Sequence, residues 1–338
     1  MSFGLPYKGS KSAIAKDIIG VLPGGNRLVD LFCGGCAITD YALKNTDKFN
    51  RFLINDIDER NPKTYMKALN GWFRNEDRWI SRQDFFKLKE TDDYVRLCFS
   101  FGNSGKTYMY GPQIEPYKRA IHHIVFWEDY APMEELCPAV VKTIHDYCDG
   151  KDQKGRRLSL GKAVAAHIKA VGSVEYWQSN PMFRAVKVKW SEDRRGMSSC
   201  QWNRGSPLQS LESLERLQSL QSLQSLESLE RLERLERLER QNVQIVASAD
   251  DYCNYVYQDG DVVYCDPPYE NTDKYTVDFD NEGFWQWCRT RNFPVYISEY
   301  RAPEDFISVW SKEKRRLFSS SNLSANVIEH LFLHKKWI

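Results

Sequence analysis

The sequence VVYCDPPYEN, Val262 to Asn271, joins an apolar run to a rigid polar turn. The residues "VVYC" suit a buried strand, whereas the two prolines that follow cannot continue the ladder of a central strand. Asp266 therefore begins a turn whose backbone is fixed by Pro267 and Pro268, and Tyr269 adds an aromatic ring. One interpretation is a strand that ends in a stiff turn; the other is a ligand site at the strand end.

Composition indicates a globular protein with a sizeable core, since 42% of the 338 residues are hydrophobic and 13% are aromatic. No apolar run approaches the roughly 18 residues that span a bilayer, and the first residues do not resemble a secretory signal. The nine cysteines contain one Cys-x-x-Cys pair, Cys33 and Cys36, with no second pair to complete a zinc site. We therefore expect a cytoplasmic protein without a metal centre or a membrane span.

Positive charge is concentrated in one part of the chain. The formal net charge is only +1, but residues 151–205 contain twelve Lys or Arg against four acidic residues, an excess of eight. A basic surface of this size suits a polyanion such as nucleic acid.

Short apolar runs that alternate with helical patterns predict a mostly parallel α/β sheet interrupted by an insertion. Strands are expected in "NRLVDLFCGG", "RFLINDID", "NVQIVASADDY", "DGDVVYCDPPY" and "NFPVYISEY", and helices in "AITDYALKN" and "GFWQWCRTR". The segments "RRLFSSS" and "EHLFLHKK" predict a closing antiparallel pair. We expect a discontinuous domain of residues 1–60 and 242–338, and an insertion of mostly helical structure at 61–205.

Residues 206–241 contain a leucine at every third position from Leu208 onwards. Glu and Arg recur at i,i+4 in the order that favours a helix. A period of three rotates the leucine stripe around a helix of 3.6 residues per turn, so a long coiled coil is disfavoured. This segment is either a spacer helix that contacts a partner or a tolerated surface repeat.

A glycine turn and an acid follow the first two predicted strands. Asp30, Phe32, Gly34 and Gly35 end the first strand, where glycines allow a tight turn or close approach to a ligand. Asp56 ends the next strand, where a carboxylate can accept hydrogen bonds from ribose hydroxyls. The pair favours an adenosine-containing cofactor, although Asp56 alone also fits an ordinary turn.

The sequence PYKGSKSAI near the N-terminus places Tyr7, Lys8 and Lys11 around Gly9 and Ser10. Such a turn could present N–H and ammonium groups to a carboxylate. Alternatively, Ser10 simply caps the helix that follows.

The turn at Asp266 suits recognition of an exocyclic amine. The Asp266 carboxylate and the Pro267 carbonyl are two acceptors for its two N–H donors, and Tyr269 could stack on the ring that carries it. No Ser-His-Asp order or Walker loop is present to indicate acyl or phosphoryl transfer.

Taken in chain order, these motifs resemble the Dam-like, D12 class of DNA adenine N6-methyltransferases. The resemblance covers residues 1–60 and 242–338, with "CFSFGNSGKTYMYG" similar to part of the family's target recognition region. It implies a Rossmann-like sheet that binds S-adenosylmethionine, with an inserted target recognition domain and double-stranded DNA as partner. It implies cofactor contacts by Tyr7, Lys8, Lys11, Asp30, Phe32, Gly34, Gly35, Asp56, Asp250 and Asp251, and catalytic roles for Asp266, Pro267, Pro268 and Tyr269.

Two other functions remain open from the sequence. Cytosine N4 methylation uses a similar amine, although its enzymes more often carry Ser before Pro-Pro. A catalytically idle DNA-binding or scaffold protein could use the leucine repeat for partners. The sequence does not determine the recognition sequence, a cognate nuclease or the oligomeric state.

Overall fold

A computed structural model of the chain describes residues 3–171, 243–269, 279–317 and 324–338. The predicted leucine-repeat helix at 206–241 and residues 172–205 of the predicted insertion lie outside the described residues. The chain divides into two compact units, Met1–Asn75 with Leu229–Ile338, and Glu76–Ser228. This division falls after Asn75 rather than after residue 60, because the helix that follows residue 59 packs with the first unit, where Leu69 contacts the core.

The first unit is built on a seven-stranded sheet in the order β3-β2-β1-β4-β5-β7-β6. Its strands are β1 (Arg27–Asp30), β2 (Arg51–Asn55), β3 (Gln244–Ser248), β4 (Asp261–Cys265), β5 (Val295–Glu299), β6 (Phe306–Leu317) and β7 (Ser324–His334). Strands β1 to β5 are parallel, and β7 runs antiparallel to both β5 and β6. The expected mixed α/β fold with a closing antiparallel pair is confirmed.

Helices cover both faces of this sheet. They are α1 (Ala15–Val21), α2 (Ala37–Asn45), α3 (Arg60–Leu69) and α10 (Asn281–Thr290), with 3-10 turns at Lys11–Ala13, Tyr252–Asn254 and Lys335–Trp337. Every residue of β1 and β4 is buried, as expected for central parallel strands. Leu28 and Val262 pack towards α1 and α2, whereas Val29 and Val263 pack towards α10. Because successive side chains of a strand point to opposite faces of the sheet, β1 and β4 each contribute residues to two cores.

The described part of the second unit is helical. It contains α4 (Arg82–Leu88), α5 (Asp93–Cys98), α6 (Glu115–Trp127), α7 (Ala131–Leu136), α8 (Pro138–Cys148) and α9 (Gln153–Val171), with a 3-10 turn at Phe101–Asn103. Ile124, Val140 and Ile144 are fully buried in a core that these later helices share. Within the described residues, no helix is long and apolar enough to cross a membrane.

Candidate functional site

Two central strands bring the predicted catalytic turn beside the glycine turn. β1 and β4 pair in parallel, with Asp30 opposite Tyr264. Asp266 follows β4 directly, and Leu31 donates a backbone hydrogen bond to the Tyr264 carbonyl at 3.1 Å. The sheet order reverses between these strands, since β2 lies on one side and β5 on the other. Ligands in open α/β sheets bind at such a switch point, outside the carboxyl ends of the strands.

Asp266 is held by a buried lysine. Lys11 Nζ lies 2.8 Å from Asp266 Oδ1, and the Lys11 side chain is 8% exposed. The Asp266 side chain keeps 19% exposure, so a ligand can reach it. Burial raises the pKa of Asp266 to about 6; Lys11 opposes this rise and Glu329 adds to it. Near neutral pH the carboxylate is therefore mainly ionised and can act as an acceptor.

Lys11 stays charged despite its burial. Burial lowers its pKa, but the carboxylates of Asp266 and Glu329 outweigh burial and raise the pKa above the ordinary value. The N-terminal motif predicts a cofactor contact for Lys11, whereas the structure places its ammonium against Asp266. A part in cofactor binding stays a prediction.

Tyr269 is fixed from three sides. Its hydroxyl donates a hydrogen bond to Glu329 Oε1, and its ring meets that of Tyr300 edge to face, with centroids 4.6 Å apart. The Lys11 ammonium lies over the Tyr269 ring, 4.3 Å from its centroid. A base that stacks on that same face of the ring would therefore have to displace Lys11.

The glycine turn packs against the N-terminal segment. Gly34 has a φ of +45°, and a Cβ at this position would lie 2.8 Å from Tyr7 Cε1. A Cβ on Gly35 would lie 2.6 Å from the Tyr7 Cβ. Leu5 N donates to the Gly35 carbonyl at 2.7 Å. Both glycines are thus required by close contact with Tyr7, while Lys8 is exposed. Cofactor binding by Tyr7 and Lys8 stays a prediction.

Asp56 links the glycine turn to the end of β2. Its Oδ2 accepts a hydrogen bond from Gly34 N at 2.8 Å, and its Oδ1 accepts one from Asp58 N at 2.9 Å. Burial raises the pKa of Asp56, and these backbone donors oppose the rise. The carboxylate therefore stabilises the turn, and a contact between Asp56 and a ribose stays a prediction.

Asp30 and Phe32 lie on either side of the β1 end. Asp30 is buried, accepts a hydrogen bond from Thr39 Oγ1 at 3.0 Å, and has a pKa that burial raises to about 7. Its Oδ1 has no hydrogen-bond partner among the described residues. The Phe32 ring packs against Tyr252 and Phe284, at centroid distances of 5.3 and 5.6 Å.

Asp250 and Asp251 line one end of a cavity of about 290 Å³ that extends from the ends of β2 and β3 back to Arg27 at the start of β1. Asn55 joins them to the sheet, since its Nδ2 donates to the Asp250 carbonyl at 2.9 Å and its Oδ1 accepts from Asp250 N at 3.0 Å. Asp251 Oδ1 caps the following 3-10 turn through Cys253 N. Both carboxylates are exposed and accessible to a ligand.

Sequence reasoning missed two buried acids near Asp266. Glu329 on β7 is 0% exposed and Glu299 on β5 is 6% exposed. Burial raises the pKa of Glu299 to about 8, and the nearby Asp266 charge adds to the rise. The signal was present, because Glu329 shares a period-two face with the buried residues Leu331 and Leu333. An acidic residue at a position that the alternation predicts to be buried is a candidate functional residue.

No curated protein matches the chain, whereas a family model matches part of it. The match lies over residues 7–122, so it includes the N-terminal turn, the glycine turn and Asp56 but ends before Asp266. The matching family is the D12 class of N6 adenine-specific DNA methyltransferases, which confirms the resemblance drawn from the sequence and supports adenine-specific DNA methylation as the activity of this chain.

Proposed function

We propose that the chain transfers a methyl group from S-adenosylmethionine to N6 of an adenine extruded from duplex DNA, with Asp266 and Tyr269 holding the base. The observation that carries the proposal is the position of Asp266. It follows a central parallel strand at the switch point, pairs with Lys11 at 2.8 Å, and remains partly exposed. An ionised acceptor at that place suits an amine donor.

The residues around the glycine turn fit the proposed cofactor. Gly34 and Gly35 let the turn after β1 pack directly against Tyr7, so Tyr7 and the backbone of this turn would face the cofactor together. Asp56 would accept from the ribose, and Asp250 or Asp251, which follow the end of β3 and are exposed, would contact the adenine edge. When bound, S-adenosylmethionine supplies a methyl group that its sulfonium activates. The buried Asp30 and the partly exposed Asp266 are two carboxyl groups whose negative charge would favour that cation.

Asp266 and Pro267 would make the adenine amine reactive by holding it. The N6 lone pair is delocalised into the ring, and extrusion of the nucleotide costs a few kcal/mol. Hydrogen bonds from N6 to the Asp266 carboxylate and the Pro267 carbonyl favour a pyramidal nitrogen that presents its lone pair to the methyl group. As the N–C bond forms and the C–S bond breaks, the sulfonium would become a neutral thioether, and the proton that N6 loses would pass to the Asp266 carboxylate and from there to solvent. Positioning and electrostatics account for the catalysis.

We further propose that residues 61–205 contain the target recognition function. The charge excess at 151–205 would contact phosphates; within the described residues, the segment 61–205 contains most of α3 and the helices α4 to α9. DNA affinity should therefore decline steeply with salt concentration.

Mass spectrometry of nucleosides from DNA treated with purified enzyme tests the function directly. We expect N6-methyladenine that depends on S-adenosylmethionine. N4-methylcytosine without N6-methyladenine would contradict the choice of base. If calorimetry detects no binding of S-adenosylmethionine or its demethylated product, the scaffold alternative is favoured.

Asp266→Ala tests the assigned residue. We expect kcat to fall about 10²- to 10³-fold, as for loss of one preorganised electrostatic contact, while the DNA dissociation constant changes far less. Wild-type kcat in this variant would refute the role of Asp266.

A further inference from the structure

Glu329 is a fully buried carboxylate at the Asp266 edge, and it is 0% exposed. Its Oε1 accepts a hydrogen bond from the Tyr269 hydroxyl and lies 3.4 Å from Lys11 Nζ. Lys11 forms an ion pair with Asp266, and Tyr269 follows Asp266 in the same turn. One side chain from β7 therefore holds both neighbours of the proposed catalytic carboxylate.

Fold stability does not explain a carboxylate at this place. Glu329 Oε2 is buried without a hydrogen-bond partner among the described residues. An incompletely satisfied buried charge is costly, and apolar replacement of buried ion pairs is often neutral or stabilising. The neighbouring inward positions on β7, Leu331 and Leu333, show that this strand face packs well with leucine. A carboxylate at this buried position therefore points to a role of Glu329 in the site around Asp266.

Among the residues that the structure describes, Glu329 and Asp266 share Lys11 as their one cation. The titratable groups that act on this cluster come from four elements: Lys11 from the first 3-10 turn, Tyr264 from β4, Asp266 and Tyr269 from the turn after β4, and Glu299 from β5. Lys11 is the one cation in that set. Its distances of 2.8 Å to Asp266 and 3.4 Å to Glu329 show that both carboxylates draw on the same ammonium.

We propose that Glu329 is a positioning residue for methyl transfer: it holds the Tyr269 hydroxyl and the Lys11 ammonium so that Asp266 and the Tyr269 ring keep the geometry that receives the adenine. The inference rests on the proposed function and adds to it a residue outside the matched segment 7–122. Lys11 lies over the Tyr269 ring at 4.3 Å, so Glu329 also provides the second carboxylate towards which Lys11 can shift when a base enters.

The test is Glu329→Gln, which keeps the size of the side chain and removes its charge. We expect kcat to fall roughly 10- to 100-fold, the scale of a small misplacement of reacting groups. Affinity for the demethylated cofactor product, measured by calorimetry, should stay within about twofold. A merely structural role predicts instead a lower melting temperature and weaker cofactor binding.

The pH profile separates a charge effect from a packing effect. Glu329 raises the pKa of Asp266 and competes for Lys11, so its neutralisation lowers the Asp266 pKa. The acidic limb of kcat/KM should therefore move to lower pH in Glu329→Gln and return towards the wild-type position in Glu329→Asp. A reduced rate with an unmoved limb would overturn the inference.

Tyr269→Phe tests the hydrogen bond between the Tyr269 hydroxyl and Glu329 by removing its donor. It removes the hydroxyl and keeps the ring, so we expect a lower kcat and a double variant with Glu329→Gln that is no slower than the slower single variant. Should Glu329→Gln fail to fold, a wild-type kcat for Tyr269→Phe would overturn the inference.

Glu313→Gln is the matched control, because Glu313 is exposed on the neighbouring strand β6 and pairs in register with Ile328. It should leave kcat and the pH profile unchanged. If the wild-type chain produces N6-methyladenine and Glu329→Gln has the same kcat and pH profile, this inference is overturned and the proposed function stands. A wild-type chain that produces no N6-methyladenine overturns the proposed function, and this inference with it.

Discussion

A single carboxylate, Asp266, combines burial with access to a ligand. Its pKa is about 6 because burial outweighs the effect of Lys11. The proposed role requires the ionised form, which loses its charge as pH falls through that value. Below pH 6 we expect kcat/KM to drop about tenfold per pH unit, since it reports the free enzyme. Steady-state rates between pH 5 and 8 test this expectation.

The pH at which the acidic limb of the kcat/KM profile is centred identifies the carboxylate that must be ionised. Asp30 lies at the end of the neighbouring strand, and burial raises its pKa to about 7. A limb centred on pH 7 would point to Asp30 and contradict the assignment to Asp266. A flat profile would contradict a role for either carboxylate.

Gly34 gives a second prediction for a single residue. Gly34→Ala introduces a Cβ where φ is +45° and Tyr7 Cε1 lies only 2.8 Å away. We expect a loss of about 1–2 kcal/mol in the free energy of unfolding from the left-handed backbone and the collision, with weaker binding of the demethylated cofactor product. Urea unfolding and calorimetry measure the two effects.

Gly20→Ala is the matched control for this substitution. Gly20 lies in α1 with no atom within 4 Å of a new Cβ, so alanine should be neutral or stabilise by up to about 1 kcal/mol. Equal effects at Gly20 and Gly34 would show that the glycine turn has no special requirement.

Residue types at strand ends were predictable, but their partners were not. The glycine turn and Asp266 stand out because glycine pairs and Asp-Pro-Pro break the local pattern of a strand. Lys11 and Glu329 meet across almost the whole chain, and no local pattern encodes that contact. Glu329 required knowledge of which face of β7 is buried, and hence of the sheet order.

The central elements were predictable because burial gives them strong signals. α2 covers the predicted segment "AITDYALKN" in full, and β4 coincides with the apolar run before Asp266. β6 was only partly predicted, since it begins at Phe306, well before "RRLFSSS". Its residues from Ser311 to Glu313 are exposed, so hydrophobic alternation fades there and the ladder to β7 determines the strand instead.

A buried ion pair joins β1 to β4 at the end opposite the site. Arg27 Nε and Nη2 donate to the two oxygens of Asp261 at 2.8 and 2.6 Å. Arg27→Ala leaves the Asp261 charge buried without its cation, although Tyr255 and Gln258 still donate to that carboxylate. We expect a loss of about 3 kcal/mol in the free energy of unfolding, measured by urea denaturation.

An exposed pair provides the comparison. Lys63 and Glu59 form an i,i+4 pair at 2.6 Å with side chains that are 60% and 62% exposed. Lys63→Ala should cost less than about 0.5 kcal/mol. A similar loss for both variants would contradict the argument from burial.

At the scale of the whole molecule, each compact unit has a core of its own. The predicted cofactor residues all lie in Met1–Asn75 or Leu229–Ile338. Ile124, in the core of the other unit, is 0% exposed, so Ile124→Ala should cost about 2–5 kcal/mol there. Affinity for the demethylated cofactor product should remain unchanged, while DNA binding weakens. Thermal unfolding and calorimetry measure these outcomes.

The control in the same unit is Leu136→Ala, because Leu136 is 37% exposed in α7. It should leave stability and both affinities close to wild type. Loss of cofactor affinity in Ile124→Ala would show that the two cores unfold as one.

The connection between β2 and β3 carries the entire second unit and the leucine repeat, although these strands are neighbours and β3 is the sheet edge. The entropy of closing a flexible connection grows only with the logarithm of its length, about 0.6 kcal/mol for each doubling. Gain or loss of Leu-Glu-Arg triplets by replication slippage would therefore change the free energy of unfolding of the sheet very little. Chains that differ in triplet number should therefore keep the same sheet and the same chemistry at the opposite end of its strands.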